Sequence, residues 1–559
     1  MAAIPHLRST QTSQQLIVHS KPYLICGAEL QNSSFSSGKY MRELWPSLVD
    51  MNLNTVLGSV SWEMVEPEEG LFDFSEVDRI ILDARIVGLK LILLWFGMSN
   101  YVPPWVKLSP ERFPRARLRN ATGGLKTTEI LSPFHRTSME ADARAFAALM
   151  KHLKETDGSH NTVIMVQPEN ECGILGDSRD RSELANKAFG EAVPGELIDF
   201  LRSDWEQLHV DLKNNLQPGY DADFGGKGAS WTSAFGTGLH TDELFMAYHY
   251  TKFVSTVATA GKAEYPLPMF CNFWQNYNGK DSENDFPWHA GGGGCPGDYP
   301  SGGGVSTTLD IWIKFAENID FICPDVYLND YTSICKTYRH RNQPLFIPEQ
   351  RRDERGARRI WKAIGSFQAL GTSPFGVDSL AGECAYKSHF KLLKSVSELV
   401  LDAQTRPDAM MGFFFDEVKV EISDAAATDI LCAGGFRVRA ERAFTVGKAG
   451  PGFGLVIYMD SPAENVSKYL LVGEGFQAVF ESLTPEADYT GILSFVEKEV
   501  NPATGKLETL RRLNGDETRS GRFAIMPNED PDYGGFPISI TIPARTRIAE
   551  CTVYWLKKG

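Results

Sequence analysis

The chain has 559 residues, of which 42% are hydrophobic and 23% are charged, and its formal net charge is −15. This length predicts more than one domain, and the composition is that of a globular protein with a sizeable core. The acidic balance argues against a nucleic-acid partner, whose phosphates need a basic surface, whereas a neutral substrate is compatible with it.

Several absences narrow the class further. The nine cysteines show no CxxC pair, which favours a reducing compartment, and the histidines are not spaced like metal ligands, so we expect no metal and no cofactor. No long apolar run predicts a membrane span. The N-terminus lacks the basic and then apolar pattern of a signal peptide, so we expect a cytoplasmic protein, with secretion by another route left open. The sequence is also compatible with a homo-oligomer.

Apolar runs alternate with amphipathic stretches over the first 425 or so residues. Stretches such as 74–88 and 139–156 have helical spacing. The strands between such helices are apolar throughout and do not alternate with polar residues, which indicates a parallel sheet covered on both faces. Eight strand-helix units predict a (β/α)8 TIM barrel over residues 1–425. The alternative, a doubly wound sheet, lacks its Gly-rich phosphate loop. The predicted strands are 22–30, 53–62, 89–97, 162–170, 266–274, 319–327, 343–350 and 373–379.

Two further regions stand out. An insertion over about 175–260 and a Gly-rich loop at 289–304 follow the fourth and fifth strands, where loops shape a cleft or remain flexible surface. From about residue 430 apolar and polar residues alternate between turn residues, which predicts a C-terminal antiparallel β-sandwich domain over 426–559. This domain either binds carbohydrate or buttresses the barrel, and we favour buttressing.

Carboxylates follow two of the predicted strands. Glu171 comes after the fourth strand and Glu349 after the seventh. Catalytic groups of barrels sit at the carboxyl ends of strands, and strands four and seven face each other across the barrel. Glycoside hydrolysis needs two carboxylates that flank the scissile bond. For either glutamate alone a helix cap or a surface ion pair is the usual explanation, but the pairing favours catalysis.

These segments resemble known glycosidases. Asn170-Glu171 with Gly173 resembles the acid/base motif of glycosidase clan A. Residues 62–74 (WEMVEPEEGLFDF) and 166–173 (VQPENECG) are similar to two segments of glycoside hydrolase family 35, the β-galactosidases, and Glu349 after PLFIP falls where that family keeps its nucleophile. The resemblance covers about 400 residues, and the later β domain looks like the appendage of one branch of the family.

The resemblance implies roles for three residues. Glu171 would be the general acid and then the base, Glu349 the nucleophile, and Asn170 a ligand of the sugar 2-hydroxyl. It implies a retaining exo-β-glycosidase that releases terminal β-D-galactosyl residues from oligosaccharides or hemicellulose side chains. We also expect that burial near Ile174 and Leu175 raises the pKa of Glu171. Arg351 or Arg352 would either keep Glu349 ionised or be only an exposed loop charge.

The sugar-reading positions depart from the family pattern at residues 31, 32, 63, 65 and 98–100. The alternative is therefore the same mechanism on another β-glycoside, as in a β-glucosidase, an exo-β-glucosaminidase or a transglycosylase. A catalytically silent carbohydrate-binding barrel is a further alternative. Strand-end residues would either contact a sugar or be satisfied rim residues. They are Gln31, Asn32, Trp62, Glu63, Trp95, Asn100, Trp274, Tyr327 and Asp378, together with Glu29, Asn272 and Asp325 at the same strand ends.

Overall fold

Eight parallel strands form a barrel in the first two thirds of the chain. Their hydrogen-bonded order is β5-β6-β7-β8-β1-β2-β3-β4, and a parallel bridge between Val166 and Met269 links β4 to β5. The predicted barrel is therefore confirmed. In chain order the strands are β1 Ile25–Glu29, β2 Thr55–Ser61, β3 Lys90–Phe96, β4 Val163–Pro168, β5 Phe270–Trp274, β6 Phe321–Val326, β7 Ile347–Gln350 and β8 Gly371–Pro374.

This computed structural model describes residues 3–98, 101–120, 122–277, 293–380, 384–417, 429–443, 450–513, 515–528 and 544–558. The first part of the predicted Gly-rich loop, 289–292, lies outside these residues. The last barrel strand ends earlier than predicted, at Pro374, because the chain turns at Gly376 with φ +68°. Among the described residues no helix has the length and apolarity needed to cross a membrane.

The strands of the barrel are apolar on both faces because each face is covered. Every residue of β4 is buried. Side chains such as Ile92, Ile164 and Phe270 fill the interior, and Leu16 and Val18 of an N-terminal hairpin join the same cluster. That hairpin comprises His6–Ser9 and Gln14–Val18, and a second hairpin, Arg115–Arg119 with Leu125–Leu131, lies between β3 and β4.

Helices surround the barrel and build the insertion that follows β4. The insertion contains the short helices α6–α9 and leads into α10, which packs against α5. The helices are α1 Gly38–Asp50, α2 Trp62–Val65, α3 Ser75–Ile86, α4 Pro104–Lys107, α5 Arg136–Asp157, α6 Glu183–Gly190, α7 Gly195–Ser203, α8 Val210–Asp221, α9 Trp231–Phe235, α10 Leu239–Glu264, α11 Leu309–Phe315, α12 Tyr331–Tyr338, α13 Glu354–Ser366, α14 Tyr386–Ser395 and α15 Ser397–Ala403.

The C-terminal region forms two antiparallel sheets, as predicted. One has the order β9-β12-β13-β18-β15-β16 and the other the order β10-β11-β14-β17. Aromatic and aliphatic side chains from both sheets form a separate core, which includes Phe413, Val438 and Tyr469. The strands are β9 Met410–Phe415, β10 Asp429–Ala433, β11 Phe436–Arg442, β12 Gly452–Ala463, β13 Val466–Glu474, β14 Phe476–Ser482, β15 Ala487–Val500, β16 Leu507–Leu513, β17 Phe523–Met526 and β18 Ile548–Lys557.

The six-stranded sheet packs against helix α13 of the barrel. Strand β9 joins this sheet although it precedes residue 425. Gly412 approaches α13 closely, because a β-carbon at that position would meet the carbonyl oxygen of Trp361 at 1.9 Å. The rings of Trp361 and Phe453 stack with centroids 5.1 Å apart. An ion pair between Arg359 and Asp416, 2.7 Å long, adds a polar contact at this junction.

Candidate active site

Glu171 lies three residues beyond β4 in a turn with an unusual backbone. Glu169 and Glu171 have φ angles of +64° and +42°, in the left-handed region that non-glycine residues avoid. The backbone N–H of Glu171 points towards Oδ1 of Asn272 at 3.4 Å. Gly173 follows because its α-carbon lies against Pro300, where a β-carbon would meet the Pro300 carbonyl carbon at 2.5 Å. The turn directs the carboxyl of Glu171 into a cavity at the carboxyl end of the barrel.

Glu349 lies at the end of β7 and lines the same cavity. The hydroxyl of Tyr327, which follows β6, donates a hydrogen bond to Oε1 of Glu349. The next residue, Gln350, has its amide buried on the other side of the strand, where it contacts the hydroxyls of Tyr331 and Tyr386 at 2.7 and 2.6 Å. The alternation of β7 thus separates the carboxylate from the helix-facing core.

Two more carboxyl groups lie beside this pair. Asp325, at the end of β6, is hydrogen-bonded to Glu171 and accepts from Nδ2 of Asn272 at 3.0 Å. Glu29, at the end of β1, is 2% exposed and is close enough to both Glu171 and Glu349 for their charges to act on it. Its Oε2 has no hydrogen-bond partner within the described residues. The site therefore contains four carboxyl groups from four strands.

Burial is the main reason why the pKa values of these four carboxyl groups are raised. Burial raises the pKa of Glu171, and the hydrogen bond with Asp325 opposes that rise. For Glu349, burial and then the charge of Glu171 raise the pKa to about 8, against the hydrogen bond from Tyr327. Burial and the neighbouring carboxylates hold the pKa values of Glu29 and Asp325 well above their usual range. Because four close carboxylates cannot all be ionised, the resting site retains protons.

The cavity measures about 440 Å³, within the range of small-molecule sites. Its walls combine flat aromatic rings with hydrogen-bonding groups, which suits a polyhydroxylated ring. The described lining contains no lysine, arginine or histidine. Lining residues are Glu171, Trp274, Gln275, Tyr277, Asp325, Tyr327, Leu328, Asn329, Glu349 and Phe375.

A second pocket of about 300 Å³ lies over β1 and β2. Tyr101 lines this pocket; burial raises the pKa of its phenol, a hydrogen bond with Asn32 opposes that rise, and the charge of Glu171 adds to it. The lining is polar apart from one methionine and the tyrosine ring. It consists of Gln31, Asn32, Ser33, Ser36, Ser59, Ser61, Glu63, Met64 and Tyr101.

The structure divides the predicted sugar-binding residues into groups. Trp274 and Tyr327 line the cavity, whereas Gln31, Asn32 and Glu63 line the second pocket. Asn170 lies between the two glutamates of the turn, and its Oδ1 accepts from Nε2 of Gln167 at 3.1 Å. Asn100 lies outside the described residues.

Three predicted residues lie away from both pockets. Trp62 and Trp95 are fully buried, so neither offers an indole face to a sugar, contrary to expectation. The indole nitrogens donate to Glu66 at 2.7 Å and to Asp142 at 2.8 Å, respectively. Asp378 accepts from the backbone N–H of Gln31 at 3.1 Å and from the hydroxyl of Ser34, and so stabilises the loop after β1.

The expected causes of the pKa shifts also need correction. Burial raises the pKa of Glu171 as expected, but of the two apolar neighbours named from sequence only Ile174 is buried, whereas Leu175 is 45% exposed. Arg351 is paired with Asp353, and Arg352 donates to the Gly376 carbonyl and to Ser379 at 2.8 Å. Neither arginine is among the groups that act on Glu349, whose pKa is raised rather than lowered.

Several lining residues were missed from sequence. Gln275 and Phe375 directly follow β5 and β8, so a wider search of strand ends would have found them. Tyr277 and Asn329 lie two or more residues beyond their strands. Tyr101 carries no sequence signal, since it lies in a loop five residues after β3 and only the fold brings it to Asn32.

Sequence comparisons match two separate parts of the chain. Residues 39–231 match a family model of glycoside hydrolase family 42 described as "Beta-galactosidase", and residues 386–525 match a domain of unknown function, DUF5597. "Beta-galactosidase-1-like protein 3" of Mus musculus is 30% identical over 185 residues, 32% of this chain and 26% of the relative. Its counterpart in Rattus norvegicus is 28% identical over 192 residues, 33% of this chain and 29% of the relative. The chain thus spans just over a quarter of the length of these curated relatives.

Two β-galactosidases of known structure also match the chain, at TM-scores below 0.5. The enzyme from the psychrophilic Marinomonas ef1 is 13% identical, with a TM-score of 0.44 over 68% of this chain and 61% of that chain. The enzyme from Bacillus circulans sp. alkalophilus is 14% identical, with a TM-score of 0.43 over 69% of this chain and 58% of that chain. The sequence matches, together with the barrel, support a glycoside hydrolase: residues 39–231 of this chain are similar to β-galactosidase-type glycoside hydrolases.

Proposed function

We propose that the protein is a retaining exo-β-glycosidase that hydrolyses terminal non-reducing β-D-galactosyl residues from oligosaccharides or hemicellulose side chains. The observation that carries this proposal is that Glu171 and Glu349, from facing strands, line one cavity and act on each other electrostatically. The finer resemblance to family 35 stays a prediction, since the matching family model is that of family 42.

The proposed reaction is a double displacement. The carboxylate of Glu349 attacks the anomeric carbon while the carboxyl of Glu171 gives its proton to the glycosidic oxygen, and the aglycone leaves as an alcohol. Water then attacks the glycosyl-enzyme, Glu171 takes up its proton, and Glu349 is released as a carboxylate. The sugar departs with its original anomeric configuration.

The coupling between the two carboxyls fits this exchange of roles. The charge of Glu171 raises the pKa of Glu349, so ionisation of both groups is disfavoured and a single proton is retained. The hydroxyl of Tyr327 stabilises the ionised state of Glu349 and so favours the reactive form, with the proton on Glu171, against the burial and the Glu171 charge that raise the pKa of Glu349 to about 8. Once Glu349 is esterified, its charge is lost, and Glu171 ionises more easily and can act as the base.

Two features support an oligosaccharide as the substrate. Trp274 and Phe375 line the cavity and are partly exposed, so their rings can pack against the apolar side of a sugar. The second pocket, lined by serines, Gln31 and Asn32, provides hydroxyl and amide groups for a further sugar unit.

An exo-β-glucosaminidase is a second candidate, which the carboxyl cluster favours. Glu29 and Asp325 add two acidic groups to the catalytic pair, and the described lining of the cavity contains no cationic side chain. An ammonium group at carbon 2 of an amino sugar would neutralise such a site. Neutral galactose would instead hydrogen-bond to protonated carboxyl groups.

The test is a panel of 4-nitrophenyl β-D-galactoside, β-D-glucoside and β-D-glucosaminide, with the first-formed anomer followed by NMR. We expect turnover of the galactoside and a β-anomeric product. If the enzyme instead prefers the glucosaminide, the substrate is an amino sugar and not galactose. That preference should then be lost in Asp325→Asn and kept in a surface variant such as Glu155→Gln. An α-anomeric product would refute double displacement, and no turnover of any member would refute the proposal as a whole.

A further inference from the structure

A buried pair of carboxyl groups lies behind the turn that carries Glu171. Asp142, on helix α5, is fully buried and Glu169, the first residue of the turn, is 2% exposed. Neither is a residue of the cavity lining, and the double displacement does not use them. Because a buried, unpaired carboxylate is costly, the pair needs a physical reason to persist.

The hydrogen bonds account for one oxygen of each group. Oε2 of Glu169 accepts from the backbone N–H of Met98 at 2.9 Å, and Oδ1 of Asp142 accepts from the indole of Trp95 at 2.8 Å. No group among the described residues forms a well-aligned hydrogen bond to the other oxygens, Oε1 of Glu169 and Oδ2 of Asp142, although the backbone N–H of Gly97 also acts on the Glu169 carboxyl and lowers its pKa. Both oxygens lie beside Gly97, because a β-carbon at that position would be 2.5 Å from Oε1 of Glu169 and 2.6 Å from Oδ2 of Asp142.

Two carboxyl oxygens that face each other without a well-aligned donor need a proton between them. Burial and then the charge of Asp142 raise the pKa of Glu169 well above its usual range. Burial also raises the pKa of Asp142 to about 6, with a smaller contribution from the charge of Glu66 and against hydrogen bonds from Glu169 and Trp95. Both observations agree with a proton that resides on Glu169 and is donated to Asp142.

We propose that Glu169 and Asp142 share one proton and that this pair positions the acid/base residue Glu171. The pair joins the start of the turn to α5 and, through Met98, to the end of β3. Glu169 and Glu171 both hold left-handed backbone conformations, which persist only where the surroundings enforce them. The proton-sharing contact supplies that enforcement. This inference rests on the proposed function, because it assigns Glu171 as the acid.

The test compares leaving groups, because acid catalysis matters only for poor ones. In Glu169→Ala we expect kcat/KM for a phenyl glycoside to fall by about 10²-fold, the usual contribution of a general acid, and that for the 2,4-dinitrophenyl glycoside to change by less than about 3-fold. Glu169→Gln should restore kcat/KM for the phenyl glycoside, because the amide N–H of the glutamine can donate to Asp142 in place of the shared proton. The sugar is the one preferred by the wild-type enzyme.

Asp157→Asn provides a matched control. Asp157 is also a fully buried carboxylate, and it accepts from Val163 at the opposite end of β4 at 2.7 Å. This variant should lower the melting temperature without altering the ratio between the two leaving groups. An equal loss on both leaving groups in Glu169→Ala, or a failure of Glu169→Gln to restore the ratio, would overturn the positioning role.

Gly97→Ala provides an independent probe if Glu169→Ala does not fold. Its added methyl group would push the two carboxyls apart while leaving both chemically intact. We expect the same selective loss on the phenyl glycoside, and an unchanged ratio would contradict the proposal. A wild-type protein that hydrolyses no glycoside would instead refute the proposed function, which keeps the two failures distinct.

Discussion

The phenol of Tyr327 donates a hydrogen bond to Oε1 of Glu349, across the ends of neighbouring strands β6 and β7. This contact stabilises the ionised carboxylate and therefore lowers its pKa, whereas burial and the charge of Glu171 raise it to about 8. The balance between these effects sets the fraction of molecules whose nucleophile is ready to attack.

Tyr327→Phe removes the hydrogen bond that stabilises ionised Glu349. A hydrogen bond to a charged group contributes about 1.5–3 kcal/mol, so we expect kcat/KM at pH 7 to fall by roughly 10- to 100-fold. The acidic limb of the pH profile of kcat/KM should also move to higher pH. Tyr331→Phe is the control, because Tyr331 donates to Gln350 instead. An unmoved acidic limb in Tyr327→Phe would contradict the role given to this contact.

Glu349→Ala should reduce turnover by roughly 10⁴- to 10⁶-fold, as expected for loss of a nucleophile. Added azide would enter from the face that Glu349 occupied and give the α-glycosyl azide. Glu171→Ala, with the nucleophile intact, should instead give the β-glycosyl azide. NMR of the two products separates the roles, and the opposite assignment of anomers would exchange them.

The stability of the protein should depend on the ionisation of Glu349. Its folded-state pKa, about 8, exceeds the unfolded value of 4.5, so the folded state binds the proton more tightly. The stabilisation is complete below pH 4.5 and is lost as the pH rises through 8. Glu349→Gln cannot ionise, and should gain roughly 4 kcal/mol over the wild type between pH 5 and pH 9. Chemical denaturation at both pH values measures this, with exposed Glu155→Gln as a control. A gain independent of pH would exclude this cause.

Trp274 and Trp62 should respond oppositely to substitution. Trp274 lines the cavity, so Trp274→Ala should raise KM by about 5- to 30-fold, equivalent to one or two kcal/mol of lost ring contact. Trp62 is fully buried and donates to Glu66, so Trp62→Phe should lower the melting temperature and leave KM unchanged. Steady-state kinetics and thermal unfolding of both variants check this. A raised KM in Trp62→Phe would show that buried tryptophan reaches the sugar.

The sequence by itself determined the architecture and the place of the two glutamates. Strands that are covered on both faces must be apolar throughout, as in β4, and strands of a sandwich must alternate, so local pattern reveals both domains. A carboxylate that interrupts such a run, as Glu171 and Glu349 do, marks the carboxyl end of a barrel strand. This information is local and survives in the linear chain.

Only the tertiary structure decided which strand-end side chains face a ligand. Trp62 and Trp95 follow the same pattern as Trp274, yet helices and buried carboxyls enclose them. Asp378 holds a neighbouring loop, while Tyr101 reaches Asn32 from a loop with no signal of its own. The direction of a side chain after a strand depends on the packing of loops and helices against the barrel rim. That packing joins residues far apart in the chain, which a local pattern does not encode.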